Sequence, residues 1–170
     1  MSDMKIGYEE NYFLKSIMRK LLIVTCVLVF VALDMLSKAY FEGLLSHGEK
    51  IALFSDLITL RLSYNSGVAF SFPIEGAFLV WITIIILAGL IFYYIKEEYK
   101  KNLLLLDISY VLIFAGAFSH AYERIFIGHV VDFIAVKYFA ILNFADILIS
   151  VGAIILVFAY GFSSGSGNRK

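Results

Sequence analysis

Residues 128–149 read GHVVDFIAVKYFAILNFADILI, and this run carries two aspartates, Asp132 in GHVVDFI and Asp146 in NFADILI, beside or inside hydrophobic stretches. An isolated carboxylate is costly in such surroundings. Ionisable groups at membrane depth face the protein interior, find a partner and mark a site of chemistry or transport. The natural partner of each aspartate here is the other. Two carboxylates held close cannot both stay charged, so one pKa rises and the pair can divide the roles of general base and general acid.

The rest of the chain puts that pair in a membrane. Of 170 residues, 61% are hydrophobic and 16% charged, with one proline, and the mean hydropathy is +0.88. Crossing a hydrocarbon core takes about 20 mostly apolar residues. Four stretches suffice, roughly 20–41, 76–95, 103–123 and 140–162. The expected fold is therefore an all-α membrane protein of four transmembrane helices. It divides into an N-terminal polar segment at 1–19, one membrane domain at 20–162 and a flexible tail at 163–170. The first apolar stretch is too long for a signal-peptide core and ends in no small-residue cleavage signal, so it is expected to stay as an anchor. A formal net charge of zero argues against nucleic acid as a partner. The single cysteine, Cys26, lies in an apolar stretch, where a free thiol packs as a small hydrophobe.

Charge distribution orients the chain. With the N-terminus cytoplasmic, the inner segments hold Lys5, Lys15, Arg19, Lys20, Lys96, Lys100, Lys101, Arg169 and Lys170. The outer ones hold Lys38, Lys50, Arg61, Arg124 and Lys137, so the ratio is nine to five. That bias follows the positive-inside rule. The only sizeable extramembrane segment is then the outer one at 42–75, whose alternating and β-branched residues predict a small β-structure. Phe54, Tyr64, Phe70 and Phe72 suit it to the membrane interface. Helix two carries no charge and reads as scaffold facing lipid.

The polar residues converge on one face. Asp34 and Lys38, four apart, share a helical face at the outer end of helix one. His120, Glu123 and Arg124 end helix three, while Asn143 and Asp146 begin helix four. Asn65 and Asp132 lie in the outer connections. Asp34 and Lys38 read as an ion pair that orients helix one or as participants in the chemistry. Asn65 reads as a turn residue or a site residue. Arg124 either anchors to lipid headgroups or holds the site together beside Glu123 and Asp132. A span beginning at 140 would place Asp146 about 9 Å into the helix, from a rise of about 1.5 Å per residue. Gly116, Ala117 and Ser119 permit close helix approach. No serine or cysteine nucleophile has a positioned base, no phosphate-binding loop or paired metal-ligand spacing occurs, and His120 with Glu123 lacks a third ligand. Neither metal nor cofactor is expected. The chemistry that remains is that of a membrane aspartic peptidase.

These residues also resemble a known family. DMLSK at 34–38, NSGVAF at 65–70, the segment from Gly116 to Arg124 with GHVVDFI, and NFADILI at 143–149 are similar to the ordered motifs of lipoprotein signal peptidase, signal peptidase II. The resemblance runs from about residue 20 to 160. It implies a bacterial inner-membrane endopeptidase with both termini cytoplasmic and its site near the outer leaflet. Such an enzyme cuts the signal peptide from diacylglyceryl-modified prolipoproteins before the lipidated cysteine. It further implies a catalytic pair at Asp132 and Asp146 with Asp34, Lys38, Asn65, Arg124 and Asn143 in support, a β-cradle at 42–75, membrane lipids as neighbours, and inhibition by globomycin; a monomer is expected. The chain departs from the family pattern at His120, where the family has asparagine, and at Glu123, where it has aspartate, and the segment between the two aspartates is short. Both residues are expected to belong to the supporting shell. The competing readings are a homologue that binds lipidated peptides without cutting them and a proton-coupled membrane component.

Overall fold

The computed structural model describes residues 2–67 and 77–165, with side chains for 14–67 and 78–161. Phe70, Phe72, the last part of the 42–75 segment and the tail beyond 165 lie outside the described residues. Four helices form the body: α1 (Ser2–Leu44), α2 (Ala77–Tyr93), α3 (Leu104–Tyr122) and α4 (Phe144–Gly165). Four spans are long and apolar enough to cross a membrane, Leu14–Leu44, Phe78–Lys101, Leu104–Ile127 and Phe144–Gly161, the second and third continuing α2 and α3 through short π and 3-10 turns at 94–101 and 123–127. Residues 2–19, expected as a separate polar segment, continue α1 instead. The Arg19 guanidinium explains part of this continuity. It donates twice to the Asp107 carboxylate on α3, both at 2.7 Å, and once to the Tyr99 carbonyl at 2.8 Å.

Between the helices lies a four-stranded antiparallel sheet in the order β1 (Ile51–Phe54), β2 (Ile58–Asn65), β3 (Val130–Val136) and β4 (Ile141–Leu142). The expected β-structure is therefore only half supplied by 42–75. A lone two-stranded hairpin is marginal in water. The alternating run VVDFIAV adds a third strand, and Phe133, buried with Leu45 and Leu60, fixes its apolar face against the end of α1. Phe41 stacks on Phe133 at 4.3 Å between ring centroids. The register places Ser63 opposite Asp132 and Asn65 opposite Val130.

Helix α2 presents Trp81, Ile85, Ile86 and Phe92 outward and buries Leu79 and Leu87. The core is centred on α3, where Tyr110 and Phe114 pack against Tyr94 with Val27, Leu87 and Leu148 around them. Two glycines let α3 and α4 approach closely. A β-carbon on Gly116 would lie 2.5 Å from the Ala145 carbonyl oxygen, and one on Gly152 would lie 2.8 Å from that of Ser109. Because both clashes are with backbone, relief requires a helix to move. Gly152→Val should therefore cost about 1–3 kcal/mol of stability, the usual penalty for overpacking. Thermal unfolding in detergent checks this, and an unchanged midpoint would show that the helices are not in contact there.

Candidate active site

The site forms where the sheet meets the helix ends, and it begins with a helix cap. Asn143 precedes α4, and its side-chain oxygen accepts the Asp146 amide N–H at 3.1 Å. The Asp146 carboxylate reaches back to the Asn143 N–H at 3.0 Å. This reciprocal pair is a capping box, which satisfies two helix-end donors at once. It corrects the expected helix start near 140: residues 141–142 are strand β4, α4 starts at Phe144, and Asp146 sits in the first turn rather than deep in the helix. A carboxylate in that turn also meets the positive end of the helix dipole.

The remaining amide group of Asn143 connects the two aspartates. Its Nδ2 donates to Asp132 Oδ1 at 2.6 Å, while Asn65 Nδ2 donates to Asp132 Oδ2 at 3.2 Å. Asn65 is oriented in turn by its own Oδ1, which accepts the Gly67 N–H at 3.1 Å. Pairing of β2 with β3 thus sets one partner of Asp132, and the α4 cap sets the other. His120 Nε2 lies 3.1 Å from Asp146 Oδ1.

Behind this pair stands a buried charge cluster. Asp34, 0% exposed, accepts the Ser119 hydroxyl from α3 and the Ala145 N–H from α4, the latter at 2.8 Å. Lys38 bridges Asp34 at 2.6 Å and Glu123 at 2.5 Å. Glu123 also accepts the Val131 N–H at 3.0 Å, which ties α1 and α3 to β3. Since Glu123 bonds Lys38 while His120 bonds Asp146, the two do not act as a joint ligand pair. Arg124 lies in the field of Asp146, Asp132 and Glu123, and its Nε has no hydrogen-bond partner among the described residues. Of the nine residues expected at the site, eight are joined by direct hydrogen bonds or ion pairs, and Arg124 joins through its charge. The contributions of Ser119 and of the Ala145 and Val131 backbone were not foreseen. Ser119 sits one turn before Glu123, which begins the π-helical turn that continues α3, and that spacing is the available signal.

The two aspartates are not equivalent. Asp132 is 4% exposed and its pKa is raised from 3.8 to about 6, chiefly by burial, with the nearby Asp146 charge adding to the rise and the Asn143 and Asn65 hydrogen bonds opposing it. The Asp146 side chain is 32% exposed. A buried carboxyl that takes up a proton more readily than a free one, beside a more accessible carboxylate, is the asymmetry that acid–base division requires.

Comparison with known proteins agrees with this arrangement. A family model described as signal peptidase (SPase) II matches residues 26–162. The lipoprotein signal peptidase of Pseudomonas aeruginosa (strain UCBPP-PA14) is 39% identical over 150 residues, covering 83% of this chain and 88% of the relative. That of Pseudomonas fluorescens is 36% identical over 138 residues, covering 76% and 81%. A solved structure described as a bacterial membrane enzyme at 2.3 Å resolution superposes with a TM-score of 0.75 at 27% identity, over 88% of this chain and 93% of that one. A second, at 1.9 Å, gives 0.70 at 28% identity over 82% and 92%. Four membrane helices, a small sheet and a polar cluster at their junction thus coincide with matches across most of the sequence, and the chain belongs to the signal peptidase II family.

Proposed function

We propose that this protease, which removes signal peptides from prolipoproteins, works as an aspartic endopeptidase with Asp132 and Asp146 as its catalytic pair. The observation that carries the reading is the shared Asn143, which donates to Asp132 and caps the helix turn that holds Asp146. In this mechanism a water is deprotonated by the accessible Asp146 and its oxygen attacks the scissile carbonyl carbon. The protonated Asp132 donates to the carbonyl oxygen, giving a neutral gem-diol. Asp146 then gives its proton to the leaving amide nitrogen, and a gem-diol hydroxyl returns one to Asp132 as the C–N bond breaks. Both carboxyls end as they began. Asp34, Lys38, Asn65, Glu123, Arg124, Asn143 and His120 support the pair.

The substrate is a prolipoprotein whose cysteine carries a diacylglyceryl group, and the cut falls just before that cysteine. Such a bond lies at the membrane surface, which suits a site built where the sheet meets the helix ends. The nine-to-five lysine and arginine bias supports an outer position for the sheet in a bacterial inner membrane, with both termini cytoplasmic. The working unit is a monomer, and globomycin inhibits it.

Three experiments test this reading. Asp132→Asn and Asp146→Asn should each abolish cleavage of lipidated prolipoprotein by folded protein, because the amide keeps the shape and loses the proton transfer; turnover by either would eliminate the pair. Asp132→Asn should also stabilise the fold in a pH-dependent way. A carboxyl whose folded pKa is raised to about 6 from 3.8 favours the folded state below pH 4, and that contribution is lost as pH rises through 6. The variant should therefore melt several degrees above wild type at pH 8 and match it more closely at pH 4, whereas equal differences at both would exclude a buried, proton-retaining Asp132. For topology, cysteines replacing Glu97 and Glu49 in a Cys26-free background should label from opposite sides of the membrane. Labelling of both from outside would refute the orientation.

A further inference from the structure

His120 stands apart from the amides around it. The two groups on Asp132 are carboxamides, but the group on Asp146 Oδ1 is an imidazole at 3.1 Å. His120 is 8% exposed, and its Nδ1 is buried with no hydrogen-bond partner among the described residues. These two facts select a tautomer. A proton on Nδ1 alone would be a buried donor without an acceptor, which costs about 1–3 kcal/mol, and it would turn the bare Nε2 lone pair toward a carboxylate oxygen. A proton on Nε2 removes both conflicts and leaves only an unused acceptor.

We propose that His120 is a positioning residue for the cleavage reaction, donating Nε2–H to Asp146 so that this carboxylate is aimed and ready to accept a proton from the attacking water. The inference rests on the reading of Asp132 and Asp146 as the catalytic pair. Asp146 has two oxygens and two fixed donors, the His120 imidazole and the Asn143 N–H, so its plane is set from both sides. His120 acts on Asp146 from α4 and on Asp132 from β3, while Lys38 from α1 acts on Asp146 and Arg124, four residues after His120, lies in the field of Asp146, Asp132 and Glu123. Hydrogen bonding to the charged form of an acid favours that form. Loss of the imidazole therefore makes Asp146 easier to protonate and lets it rotate, which impairs water activation rather than substrate binding.

The test compares His120→Ala and His120→Gln with wild type in cleavage of lipidated prolipoprotein. Glutamine places an amide N–H near the position of Nε2. His120→Ala should lower kcat by about 100-fold, the usual effect of losing one preorganised donor, with KM nearly unchanged and the acid limb of the rate profile moved to higher pH. His120→Gln should recover kcat to within about tenfold. Wild-type kcat and an unmoved acid limb in His120→Ala would overturn the proposal, as would a loss confined to KM. Asp132→Asn and Asp146→Asn run alongside: if both are inactive while His120→Ala is normal, only the role of His120 falls, and turnover by either removes the underlying pair. Should His120→Ala fail to fold, 15N-histidine spectra of wild type decide, with the His120 signal assigned by its absence in His120→Gln. A proton on Nε2 is expected, and a bare Nε2 would contradict the proposal.

Discussion

The carboxylate of Asp34 is fully buried at the sheet end of α1, and it is tolerable there because donors from three helices surround it. Ser119 from α3, the Ala145 N–H from α4 and Lys38 from its own helix supply them. Lys38 is in turn balanced by Glu123, whose second oxygen takes the Val131 N–H. Breaking such a buried pair from one side costs about 3–5 kcal/mol, because the partner is left charged and unpaired. The cluster therefore acts as a locating device. It sets where α3 ends, where β3 begins and where α4 starts, and each of those points carries one group of the proposed catalytic arrangement.

From that framework the asymmetry of the two aspartates follows. Asp132 is carried on a strand, walled in by the sheet, and burial raises its pKa against the two carboxamides that hold it. Asp146 is carried in a first helical turn, partly open to water and held by a backbone N–H and an imidazole. A strand and a helix end are different electrostatic environments, and placing one carboxylate on each makes the two inequivalent. The lipid-facing parts of α2 take no part in this and serve to enclose the core.

The sequence was most legible where burial made a residue type expensive. Asp34, Lys38, Asp132, Asn143 and Asp146 stand out because charge and amide are rare in apolar runs, and the four spans follow from length and hydropathy. It was least legible where hydropathy does not discriminate. Residues 139–142, FAIL, read as the start of a helix, yet Ile141 and Leu142 pair with β3; short apolar runs look alike in strands and helices. The same ambiguity hid β3 in an outer connection. Glu123 has a cation beside it in sequence, Arg124, yet its partner is Lys38 on another helix, and only the packing of α1 against the end of α3 brings those two together. The bond from His120 to Asp146 joins positions 26 apart, and no local spacing announces it.

In the proposed mechanism two carboxylates, linked through Asn143, hydrolyse a peptide bond by activating water. Single-turnover cleavage of a diacylglyceryl-modified prolipoprotein in H2(18)O, followed by mass spectrometry of enzyme and products, tests it most directly. The account predicts one cut immediately before the lipidated cysteine, an 18O atom at the new carboxyl terminus of the signal peptide, and no covalent peptide adduct on the enzyme at any time. An acyl-enzyme adduct, a cut elsewhere, or intact substrate with folded protein would contradict it.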